Sequence, residues 1–149
     1  MAYNPPSYGN YERAKADTQY KYSQDATTNA YGRFISQQRG NRQLGDNQRN
    51  YKRQMPNQTA QFGQRGLSAG GINSGVMNES MNRFVGDYAR QQSRGQQDLT
   101  QDLQQYDLNQ VNMDSWRQRQ MASIEADKQQ AIANDAAQLD YLRQIIGGL

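Results

Sequence analysis

The chain has no cysteine and no histidine. The first absence excludes disulfides, thiolate nucleophiles and cysteine metal sites. The second removes the commonest general base and, with cysteine gone, the commonest metal ligands. Apolar residues make up only 34% of the 149 and the mean hydropathy is −1.16, too little for a chain of this length to build an ordinary core of its own. No apolar run approaches the roughly 18 residues of a membrane helix, and the polar start Met1-Ala2-Tyr3-Asn4-Pro5-Pro6 lacks the apolar segment of a secretory leader. The expectation is a protein made in the cytoplasm, with no membrane span. The net charge of only +3 argues against outright disorder, which goes with low hydrophobicity and high net charge together. Order acquired by packing helices on other copies or other proteins is the expectation.

Proline is scarce and one-sided. Pro5, Pro6 and Pro56 all lie in the first half, and nothing after the glycine-rich stretch Gly63, Gly66, Gly70, Gly71 and Gly75 forbids a long helix. Those glycines read as a hinge at 63–75, where positive φ and close backbone approach are available. The expected architecture is mainly α: an extended N-terminal arm, a helix, the hinge, then a long C-terminal helix, with no independent compact core.

Residues 1–62 are a basic segment rich in tyrosine, arginine, asparagine and glutamine. The spacing of Tyr20, Thr27, Tyr31, Phe34 and Ile35 predicts a helix over 11–38 with those residues on its packed face. Gly40-Asn41 are expected to end it. A short helix over 46–54 would be stopped by Pro56. Residues 76–149 form the long amphipathic segment, introduced by Asn73 or Ser74 as a cap and expected to kink or divide at Gly95. Its helix-packing interface is read as Met77, Met81, Phe84, Tyr88, Leu99, Leu103, Tyr106, Val111, Trp116, Ile124, Ile132, Leu139, Leu142 and Ile146. Gln92 and Gln110 interrupt a strict heptad seam, which points to a loose bundle rather than a long zipper.

Charge divides across the hinge: residues 1–65 carry ten Lys/Arg against four Asp/Glu, and residues 66–149 seven against ten. The basic half, through Arg33, Arg39, Arg42, Arg49, Lys52, Arg53 and Arg65 with Tyr31 and Tyr51 for stacking, has the mixture that single-strand binders use. The same tyrosines equally suit a protein interface. Asp98, Asp102, Asp107 and Asp114 read as a solvated helix face rather than as acid/base or metal chemistry. Gly70–Gly75 lacks the Lys-Ser/Thr of a phosphate loop, and the sequence implies neither an enzyme, a cofactor nor a small-molecule substrate.

The stretch Arg65-Gly66-Leu67-Ser68-Ala69-Gly70-Gly71-Ile72-Asn73-Ser74-Gly75-Val76 resembles a pattern in small structural proteins of tailed bacteriophages, where such a turn joins two helices rich in Gln, Arg and Ala. The resemblance covers about residues 60–95. It implies a non-enzymatic virion component, multimeric and packed on portal, tail or other virion proteins, without fixing its position in the particle. A DNA-condensing protein lying on the packaged genome is the alternative, and a transient scaffolding helix a third.

Overall fold

In a computed structural model the chain is almost wholly helical, with backbone described for residues 8–64 and 74–147 and side chains within those spans except at 62–64, 74, 76, 146 and 147. Helix α1 runs Gly9–Gln64 and helix α2 runs Ser74–Gly147. The mainly-α reading holds. The hinge glycines Gly66, Gly70 and Gly71, the cap candidate Asn73 and the cation Arg65 lie outside the described residues, as do residues 1–7 of the arm predicted over 1–10, whose turn candidates Gly9 and Asn10 are instead the first residues of α1. Gly63 and Gly75 do not turn, since both are helical.

α1 is much longer than 11–38. Its first turn forms where the Tyr8 carbonyl accepts from the amides of Tyr11 at 3.1 Å and Glu12 at 3.4 Å, and the Glu12 carboxylate suits the positive end of the helix dipole. Poor helix formers in its path are accommodated locally. The hydroxyls of Thr27 and Thr28 donate to the carbonyls of Ser23 and Gln24 at 2.7 and 3.0 Å, so their polar groups stay satisfied inside the helix. Gly40 does not end α1, and Pro56 lies inside it. A proline without an amide costs a helix interior about 3 kcal/mol. Met55 and Gln58 on either side of it are half-buried. α2 likewise passes through Gly95 unbroken.

Each helix contributes to two compact units: the first comprises Met1–Ala30 with Leu108–Leu149, the second Tyr31–Asp107. In each, α1 and α2 lie antiparallel. In the first unit Glu12 meets Lys128, Lys15 meets Glu125 and Tyr22 meets Asp114. In the second Arg33 meets Asp107, Ser36 meets Asp102 and Tyr51 meets Tyr88. Every step forward on α1 is matched by a step back on α2.

The face that α2 turns inward repeats every eleven residues. Met77, Tyr88, Leu99, Gln110 and Met121 form one half-buried row; Met81, Gln92, Leu103, Asp114 and Glu125 form a second; Phe84, Gly95, Tyr106, Arg117 and Lys128 form a third. On α1 the half-buried Thr18, Asn29, Gly40 and Tyr51 keep the same spacing. Eleven residues over three turns is about 3.67 per turn, close to the relaxed 3.6 of an α-helix and unlike the 3.5 of a heptad. That is why a heptad template finds Gln92 and Gln110 out of place.

The packed face of α1 is therefore not the one its tyrosines suggested. Tyr20, Thr27, Tyr31 and Phe34 are exposed and only Ile35 of that set is half-buried, while Tyr11, Lys15, Thr18, Tyr22, Ala26 and Asn29 face inward. Among the described residues none is fully buried.

Candidate functional site

The two units close their seams by different chemistry. In the second, small residues bring the helices together. A methyl group on Gly40 would stand 2.6 Å from Leu99 Cδ1, one on Gly32 would stand 2.8 Å from Tyr106 Cε1, and one on Gly95 would stand 3.0 Å from Leu44 Cδ2. Each glycine is the hollow into which a large side chain of the facing helix fits, so the ~1 kcal/mol that glycine costs a helix is offset by the contact it admits. Further along, the Tyr51 ring stacks on Phe84 with centroids 5.2 Å apart and on Tyr88 at 4.1 Å. Gln92 joins them, its amide donating to the Tyr88 hydroxyl at 2.8 Å and to the Leu44 carbonyl at 3.1 Å. A polar side chain in an apolar seam is thereby satisfied across the pair, which fixes register.

The first unit's seam is polar. The Tyr22 hydroxyl donates to Asp114 Oδ1 at 2.5 Å, and the Gln110 amide donates to both, at 3.2 Å to Tyr22 and 3.3 Å to Asp114. The Asn29 amide reaches Gln110 Oε1 at 3.5 Å, and the Arg117 guanidinium lies 4.4 Å above the Tyr22 ring. Lys15 Nζ pairs with Glu125 at 2.7 Å and Lys128 Nζ with Glu12 at 3.2 Å. The hydrogen bond from Lys15 holds the Glu125 carboxyl below its ordinary value, and the same bond raises Lys15. The bond to Asp114 raises the Tyr22 phenol.

Trp116 is half-buried with the Lys21 ammonium 5.0 Å from its ring centroid, consistent with a packing anchor. Of the other expected interface residues, Met77, Met81, Phe84, Tyr88, Leu99, Leu103, Tyr106, Ile124 and Leu142 are half-buried, Val111, Ile132 and Leu139 are exposed, and the Ile146 side chain lies outside those described. Of the carboxylates read as a solvated face, Asp98, Asp102 and Asp107 are exposed and Asp114 is half-buried; three of them also accept from α1, Asp102 from Ser36 at 2.8 Å, Asp107 from Arg33 at 3.0 Å, and Asp114 from Tyr22. The excess of base in α1 and of acid in α2 is thus partly spent inside the chain.

The expected nucleic-acid residues separate into two groups. Arg33 pairs with Asp107 and Arg49 with Asp46, and Tyr51 is stacked in the seam. Arg39, Arg42, Lys52 and Arg53 are exposed and carry no ion pair among the described residues, and Tyr31 is 66% exposed. Large apolar side chains also face outward, notably Phe34 at 52%, Leu108 at 58% and Val111 at 59%. No group of three acidic, histidine or cysteine side chains that could hold a metal occurs among the described residues, and no described helix is long and apolar enough to cross a membrane.

In comparison with known proteins, no family model, no curated protein and no solved structure matches the chain.

Proposed function

We propose that this chain is a non-enzymatic structural component of a tailed-phage virion, present in several copies and packed on portal, tail or other virion proteins. The observation that carries the assembly part of this reading is surface. Among the described residues no side chain is buried and large apolar ones face outward, which leaves apolar surface for interface patches of about 800 Å² per partner. Phe34, Leu108 and Val111 are the apolar anchors such patches need. The virion part rests on the resemblance of residues 65–76 to phage structural proteins.

Mass spectrometry of purified mature particles tests it. Peptides from both sides of residues 63–75 are expected in the particle. Their recovery from immature heads alone would make the chain a scaffold, and their absence from both would overturn the reading.

A second reading, contact with packaged DNA, draws on Arg39, Arg42, Lys52 and Arg53, which have no acidic partner among the described residues. Four phosphate contacts weaken binding about 150-fold between roughly 50 and 200 mM salt. Filter binding that retains no DNA at the lower salt would dismiss it.

A further inference from the structure

The second unit leaves one side of its helix pair open. Beside the close approach made at Gly32, Gly40 and Gly95 runs a groove of about 450 Å³, floored by the half-buried Ile35, Leu99 and Tyr106. Its rims differ in charge. The α1 rim carries Arg39 between Tyr31 and Gln43, and the α2 rim carries Asp98 and Asp102, all of them exposed. Arg39 and Asp98 have no ion pair among the described residues, and Asp102 accepts from the neutral hydroxyl of Ser36 at 2.8 Å. Steps of three and four along α1 lead on from Gln43 to Asn47, Asn50 and Gln54, and steps of seven and four along α2 lead from Asp98 to Gln91 and Asp87. These line a further hollow of about 310 Å³ on the same side. The stretches outside the described residues are too far along the helices to fill the groove. Residues 1–7 span at most about 25 Å, and α1 runs about 35 Å from Tyr8 to Tyr31. Past Gln43, α1 runs about 31 Å before residues 65–73 begin, and a link of that length tied at both ends reaches about 17 Å.

We propose that this groove receives the same groove of a second copy, about a two-fold axis parallel to the helices, so that α1 of each copy lies antiparallel on α2 of the other. Charge selects both the occupant and the axis. Within the unit Gly40 stands level with Leu99 and Tyr51 with Tyr88, and an axis parallel to the helices preserves those levels between copies. Arg39 of each copy then comes to the level of Leu99 in the other, between Asp98 and Asp102. An axis across the helices would instead lay α1 on α1 and set the carboxylates of one α2 against those of its copy. The face therefore carries both halves of a complementary set, and a two-fold contact uses each half twice. The resulting four helices also cover Ile35, Leu99 and Tyr106, which a single helix pair leaves at its open edge, and removing such apolar surface from water favours the contact.

This inference rests on the proposed multi-copy role, and the experiment separates the two. Self-association of the full chain is measured by sedimentation across a dilution series, with helix content followed by circular dichroism. Arg39→Glu and Asp98→Lys are each expected to weaken it about tenfold, because each converts two ion pairs into repulsions. Arg42→Glu, which makes the same charge change outside the groove, should leave it unchanged. The deciding sample is an equimolar mixture of the Arg39→Glu and Asp98→Lys chains. In a mixed dimer each α1 again meets an α2 of opposite charge, so the mixture should regain the association of the unaltered chain while each component alone stays weak. A mixture as weak as its components, or equal effects of Arg39→Glu and Arg42→Glu, in a protein that remains oligomeric would overturn this interface and leave the multi-copy role standing. An unaltered chain that is monomeric at every concentration would overturn both. Should Arg39→Glu leave self-association intact and only prevent incorporation into particles, the groove would belong to another virion protein and the two-fold contact would be overturned.

Discussion

Gly40 and Leu99 meet across the helix pair of the second unit with no room for a methyl group, which would lie 2.6 Å from Leu99 Cδ1. Gly86, on α2, has nothing within 4 Å of the same position. Alanine at Gly86 is therefore expected to stabilise by about 1 kcal/mol through helix propensity alone. Alanine at Gly40 gains the same propensity but forces Leu99 aside, at about 1–3 kcal/mol of overpacking, for a net loss. Thermal melts of Gly86→Ala and Gly40→Ala should move in opposite directions, and parallel shifts would show that Gly40 is an ordinary helical glycine.

The stacked trio gives a second contrast. Tyr51→Ala removes a ring packed on both Phe84 and Tyr88 and is expected to cost about 2 kcal/mol, whereas Tyr51→Phe keeps the stack and should be close to neutral. Tyr31→Ala, at a position 66% exposed, should stay within about 0.5 kcal/mol. Denaturant midpoints measure all three. A loss at Tyr31 equal to that at Tyr51 would mean that the exposed tyrosine face also packs.

Acid should loosen the first unit. Glu125 has its pKa depressed below 4.5 by the Lys15 hydrogen bond, so its contribution is complete above 4.5 and is lost as pH falls through the lower folded value. Lys15 and Tyr22 are raised above 10.5 and 10.0, so theirs are complete below those values and are lost as pH rises through the higher folded ones. Trp116, the single tryptophan, belongs to this unit and reports on it by fluorescence. A plateau from about pH 5 to 9 with changes on both sides is expected, and Glu125→Gln should blunt the acid limb. An acid limb unchanged by Glu125→Gln would remove the Lys15 pair from the account.

Much of the helix content was legible in the sequence, because a proline-free second half with apolar residues every three or four positions admits little else. The length of α1 was not. Gly40 and Pro56 are local stop signals, and what overrides them is contact with residues far along the chain, Leu99 for Gly40. The inward face of α1 was misplaced for a related reason. Tyr20, Tyr31 and Phe34 are large side chains of α1 that stay exposed, while the seam there takes Lys15, Tyr22 and Asn29, whose partners Glu125, Asp114 and Gln110 lie 81 to 110 residues away. A polar seam has no hydrophobic signature. Counting by elevens along α2 was the one signal that could have revealed it, since Gln92, Gln110, Asp114 and Arg117 fall into the same rows as Leu99, Leu103 and Tyr106.

A helical chain with no buried described residue is expected to function as one of many copies. Light scattering with circular dichroism across a dilution series checks this. The expected result is a helical particle whose mass is a multiple of 17.0 kDa and whose mass and helicity both fall as it is diluted. A helical monomer of 17.0 kDa that keeps its full helicity at every concentration would contradict it.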